Sequence, residues 1–231
     1  MSRLGWARWA FFALIVIASS SVAAQSLEQF SARDATAALK AALDNGVAAA
    51  VASLGRTDGF WANPTVKVPL PEHLNRARTA LRFVGKGDEV DALELAVNRA
   101  AEQAVPQAKT LLIGAVKSMS VDDAKQILRG GDDSVTQFFK TETAPQLFER
   151  FLPVVRRVTE RNGLAQQYNA LAGQGVRLGL INAEQASIER YVTQKALDGL
   201  YTMIAEEEKR IRANPVAAGS DILRRVFGAL N

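Results

Sequence analysis

The chain has 231 residues, is 48% hydrophobic and carries a net charge of +4 at neutral pH, with no cysteine and a single histidine, His73. That composition excludes disulfides, thiol nucleophiles, thiolate metal sites and multi-histidine zinc sites. Arg3 and Arg8 supply part of the positive balance, and the remaining Lys and Arg are matched by carboxylates rather than clustered, which argues against a nucleic-acid footprint.

Arg3 and Arg8 precede an apolar run from Trp9 to Ile17, and Ser19 to Ala24 then supplies small residues. The run is well short of the roughly 20 residues a membrane-spanning helix needs. Residues 1–24 therefore read as a secretory signal peptide cleaved after Ala24, with Gln25 as the mature start and a periplasmic destination. An uncleaved membrane anchor is the alternative. No later stretch is expected to span a membrane.

Nearly every following segment repeats at helical period. Ser31–Ala32–Arg33–Asp34 resembles a capping box opening a helix whose stripe is Leu39, Leu43, Val47, Val51 and Leu54. Gly55 suits the left-handed position just past its end. Residues 56–71 differ: Thr57–Asp58–Gly59 is turn chemistry, Asn63–Pro64 breaks a helix, and Val66 to Pro71 alternates like a strand without a second strand to pair with. An extended segment anchored by Phe60 and Trp61 is expected over the helices.

A helix with Leu74, Ala77 and Leu81 comes next and ends at Gly85–Lys86–Gly87. Another begins near Asp88 with Val90, Leu93 and Val97 inward, and Pro106 must kink or break it before Leu112 and Val116. Ser120 caps a short helix that stops at Gly130–Gly131; Asp132 opens another, and Pro145 starts a further one reaching Val158. Residues 164–172 are weakly helical, and a long helix runs from about Ala183 to Ala213, where Asn214–Pro215 stops it. Residues 220–231 form an amphipathic C-terminal helix that docks on the bundle or offers its apolar face to a membrane or partner. The fold class is all-α: a single helical-bundle domain over residues 25–219, of about eight helices, with one extended Pro-containing segment at about 56–71.

Glu207 falls within the apolar stripe Val192, Ala196, Leu200, Met203, Ile204 and Ile211 of the long helix. A carboxylate there is either an internal ion pair, with Lys67 and Arg99 as first partners to test, or a functional acid. Tyr191, Lys195 and Asp198 share a face of the same helix as an ordinary hydrogen-bonded edge or a ligand-binding set. Glu206, Glu208, Lys209 and Arg212 read as a solvated face. Arg99, with Asn98 and Glu102, lies opposite the main stripe of its own helix. Glu207, Lys195, Asp198, Tyr191, Arg99 and Lys67 are thus the ligand-binding candidates; no residue is assigned a catalytic role. Asp122–Asp123 and Asp132–Asp133 lack the spacing of a calcium loop and read as helix caps, so no metal or cofactor is expected.

Several stretches together resemble one family. They are Asp58–Gly59–Phe60, Asn63–Pro64, Val66 to Pro71, Asn98 to Glu102, Ser120 to Ala124, Gly130 to Asp133, Arg150 to Pro153, and Tyr191 through Leu200 to Lys209. They resemble an exported bacterial group known as domain of unknown function 4197, over nearly the whole mature chain. The resemblance implies export and a helical fold and carries over no catalytic residue. The favoured function is a non-enzymatic periplasmic binding or envelope-associated protein holding an apolar ligand or a partner, an envelope protein or lipid. The alternatives are a hydrolase or lyase built on Glu207, Lys195, Asp198 and Arg99, and a structural envelope factor.

Overall fold

The computed structural model describes residues 19–177 and 187–214, with side chains at 32–173, 177 and 187–214. Helices α1 (Ser19–Gly55), α2 (Glu72–Phe83) and α3 (Gly87–Ala104) are followed by a 3-10 turn, Val105–Gln107. Then come α4 (Ala108–Ser118), α5 (Val121–Arg129), α6 (Ser134–Thr159), α7 (Gly163–Arg177) and α8 (Ile188–Ala213). Among the described residues there is no strand, so the all-α expectation holds.

The centre of the bundle is α6 against α8, with α3 across them and α1 along the opposite side of α8. Phe139, Leu147, Phe151 and Val155 of α6 meet the Val192, Ala196 and Leu200 face of α8 in one continuous core with Leu39 and Leu54 of α1. Burial of this apolar surface is the main source of stability in a chain without covalent staples.

Local chemistry explains most boundaries. Pro106 ends α3 as expected, and the 3-10 turn absorbs its missing amide. Ser120 makes a reciprocal capping box: its Oγ accepts from the Asp123 amide at 3.1 Å, and Asp123 Oδ2 accepts from the Ser120 amide at 2.8 Å. Those bonds from Ser120 hold the Asp123 carboxyl below the usual aspartate range.

Three expectations are corrected. The first helix is already under way at Ser19, the first described residue, so Ser31 lies inside it rather than opening it; the sequence between them contains no glycine or proline. Gly55 is its last residue and is not left-handed; a Cβ there would stand 3.0 Å from Pro106 Cγ, so close packing is its role. The left-handed residue is Asp58, with φ 66°. Pro145 does not start a helix: it and Pro153 lie inside α6 at exposed positions, where water can take the carbonyls their missing amides leave free.

Ala32–Gly55 is long and apolar enough, by length and composition, to cross a membrane, although it carries charges at Arg33, Asp34, Lys40 and Asp44. Its stripe of Leu39, Leu43, Val47, Val51 and Leu54 is buried in the bundle, as in the core helix of a water-exposed fold. The C-terminal helix expected at 220–231 and the signal peptide's apolar run lie outside the described residues.

Candidate functional site

The segment after α1, residues 56–71, is not extended throughout, contrary to expectation: turns fill 57–62 and 64–66 and only 67–71 run extended. It crosses α3 and α8 as a strap, and side chains of α3 hold its backbone. Asn98 donates from Nδ2 to the Val68 carbonyl at 2.9 Å and accepts from the Val68 amide at 2.8 Å, the two-bond pairing a neighbouring strand would give. One turn on, Glu102 Oε1 accepts the amides of Phe60 and Trp61 at 3.1 Å each. Its other oxygen accepts from Arg99 at 2.7 Å, and Arg99 reaches Asp58 at 2.7 Å. Both contacts raise the Arg99 pKa above its ordinary value, the Glu102 bond most. The Phe60 ring packs directly against α8 at Gly199, where a Cβ would be 2.6 Å from Phe60 Cε1. Tyr191 closes the far end, its hydroxyl donating to the Pro69 carbonyl at 3.1 Å; burial pushes its pKa up to about 12.

Asn98 and Glu102 were expected on a face away from the core, yet both are buried. The strap covers the side of α3 that α6 leaves open, so α3 has two buried faces.

A second polar cluster joins α8 to the start of α6. Glu208 Oε1 accepts the Val135 amide at 3.0 Å, and Oε2 accepts the Thr136 amide and hydroxyl at 3.1 and 3.0 Å. Arg212 pairs with the same carboxylate at 2.9 Å and bonds Ser134 Oγ. Glu208 and Arg212 are therefore not the solvated pair expected. Glu208 also takes the capping role expected of Asp132 and Asp133: Asp133 makes no side-chain cap, and Glu208 serves the free amides of α6 from another helix. The signal was present in the spacing, since Leu197, Tyr201, Ile204 and Glu208 continue one stripe toward α6. At the other end of the antiparallel pair, buried Glu189 accepts from Thr159 Oγ1 at 3.2 Å and from Asn169 Nδ2 at 3.0 Å.

The six candidates fall into three places. Lys67 pairs with Glu94 at 3.6 Å and lies over the Trp61 ring at 3.8 Å, and Arg99 and Tyr191 belong to the strap as above. Lys195 and Asp198 pair with each other at 3.3 Å on an exposed edge. Glu207 pairs with Arg210 at 2.8 Å, a partner on its own helix rather than Lys67 or Arg99, in a groove of about 450 Å³ between α1 and α8. Glu207 is nine residues from Asp198, about 13 Å along the helix axis. A shared acid–base centre of Glu207 with Lys195 and Asp198 is thus not assembled. Among the described residues no three His, Asp or Glu side chains gather as metal ligands.

A separate cleft of about 320 Å³ opens between α6 and α8. Ala144, Pro145 and Phe148 form one wall, Leu197 and Tyr201 the other, and Arg190 and Gln194 its edge. The Arg190 guanidinium stands 5.1 Å from the Phe148 ring centre, and Tyr201 is tied back by Thr143 at 3.0 Å. Sequence reasoning passed over this cleft, because its walls come from helices distant in the chain and none of its residues is unusual by itself.

The family model for a protein of unknown function, DUF4197, matches residues 29–228. The chain belongs to the DUF4197 family. No curated protein and no solved structure matches it. Of the stretches that carry the DUF4197 resemblance, Asp58 to Phe60, Asn63–Pro64, Val66 to Pro71, Asn98 to Glu102 and Tyr191 to Leu200 converge on the strap. Gly130 to Asp133 and the Glu206 to Lys209 turn meet at the α6 start. In this DUF4197 chain the bonds just described tie those stretches together as supports of the fold.

Proposed function

We propose that the protein is exported to the periplasm, loses residues 1–24, and acts there as a non-enzymatic binding protein holding an apolar ligand in the α6/α8 cleft. The observation that carries this reading is the cleft itself: an open, largely apolar recess with a few polar groups at its rim. Apart from Arg190 at its edge, it stands away from the ion-pair clusters of the strap and the α6 start. The apolar run before Ala24 and the small residues that follow it support export.

Native mass spectrometry of protein released from the periplasm tests both parts. The expected spectrum shows a chain beginning at Gln25 and carrying one small molecule, which Ala144→Trp displaces by filling the recess. A bare chain, or a ligand retained by that variant, contradicts the binding reading. An intact N-terminus contradicts cleavage.

A second reading, contact with an envelope protein, is favoured by the tip between α2 and α3. Phe83 there is 92% exposed and Val84 67%. A photo-crosslinker at position 83 should then capture one discrete partner, and its failure to do so counts against this reading.

A further inference from the structure

Arg190 has no carboxylate within ion-pairing distance among the described residues; its recorded side-chain contact is the face of Phe148. The two acidic residues nearest along α8 are engaged elsewhere. Glu189 is buried against Thr159 and Asn169, and Asp198 accepts from Gln194 and Lys195. Lys140 stands 5.8 Å from the ring of Tyr201, toward the other end of the cleft, and makes no ion pair either. Among the described residues, the apolar trough is therefore bordered by two cations that form no ion pair. Most other cations near the bundle's polar seams (Lys67, Arg78, Arg82, Arg99, Arg212) are paired. The aromatic contact holds the Arg190 fork at the cleft edge while leaving its planar N–H donors available, the geometry that suits a carboxylate.

We infer that the α6/α8 cleft takes a monomeric amphiphile with a carboxylate head, received by Arg190, and an acyl chain laid over Phe148, Leu197 and Tyr201. The inference rests on the cleft being the binding site and adds the class of its ligand. From Arg190 to Tyr201 the wall runs about 16 Å along α8, room for a single extended chain of medium length.

Titration calorimetry on the mature full chain, with decanoate, decanol and vesicles containing phosphatidylglycerol, tests it. Decanoate should bind with one-to-one stoichiometry and at least about tenfold more tightly than decanol, the expected worth of a charge-assisted hydrogen-bonded pair. Arg190→Gln should bring decanoate to the level of decanol and leave decanol unchanged. Lys140→Gln removes an equal charge from outside the lining and should change affinity less than about threefold if the Arg190 contact is direct rather than a diffuse field. Thermal melts of both variants should match the parent, since neither residue is buried.

Equal binding of decanoate and decanol, or an Arg190→Gln variant that keeps its preference, overturns the head-group assignment while leaving the cleft reading in place. Equal losses in the Arg190 and Lys140 variants overturn it too, in favour of non-specific attraction. Binding to vesicles but not to decanoate makes the source a membrane surface and overturns the proposal. Failure of all three probes removes the ligand class, and a native spectrum without any bound molecule separately removes the cleft reading.

Discussion

Glu208 and Glu102 are buried carboxylates that do the same job at two places: each collects backbone amides from a segment far away in the chain and balances its charge with an arginine on its own helix, Arg212 and Arg99. Removing one partner of such a cluster leaves the others buried and unsatisfied, which costs far more than the pair itself contributes. Glu208→Ala should therefore lower unfolding stability by about 3–5 kcal/mol, measured by urea denaturation. Glu208→Gln should lower it less, because its one remaining oxygen still accepts from α6, although its NH2 group then faces the other amide. Gly199→Ala should cost about 1–3 kcal/mol by forcing the Phe60 ring off α8, and a neutral result would show that the strap yields easily. These roles were only partly legible in the sequence. Helical spacing pointed to an acidic residue inside the α8 stripe but chose Glu207, because the dominant face was taken as the single buried one. Two neighbouring helices bury two faces of α8, and the second face carries Glu208.

The strap and α8 are the elements whose relation decides the rest. Asn63–Pro64 and the closing prolines keep residues 56–71 from forming a helix, but turns fill 57–62 and 64–66 and only 67–71 run extended; Phe60 is the expected anchor. What could not be read was which helices the strap crosses, since that depends on the path of α3 and on the missing Cβ at Gly199. Boundaries with a local cause were legible, as at Pro106 and Ser120. Pro145 misled, because proline at an exposed helical position interrupts one bond without ending a helix held by its packed face. Tyr191 ties α8 to the strap, and burial raises its pKa from 10.0 to about 12. A raised folded-state value means that its stabilising effect is complete below pH 10 and fades as the pH climbs toward 12. Burial also raises Tyr168 and Tyr201, which add to the same alkaline loss. Tyr191→Phe should lower stability modestly near neutral pH by deleting the bond to Pro69 and should flatten part of the decline above pH 10. A decline unchanged by the substitution would assign it to the other tyrosines.

At the scale of the whole molecule, packed helices and buried polar clasps carry the stability, so the melting temperature should be indifferent to reductant and to a metal chelator. A chelator-dependent melt would reveal a structural metal outside the described residues. The all-helical class was legible because nearly every segment repeats at one period, whereas the α6/α8 cleft exists only once the two helices lie antiparallel. The strap and the α6 start hold distant elements together through buried polar groups, and the α6/α8 cleft is the recess to which the proposed function assigns a ligand. Hydrogen–deuterium exchange on the full chain, with and without any molecule that co-purifies with it, tests that assignment most directly. Protection is predicted around residues 140–148 and 190–201, with residues 56–71 and 98–102 unchanged. Protection concentrated on the strap and α3, with α6 and α8 exchanging as before, would contradict it.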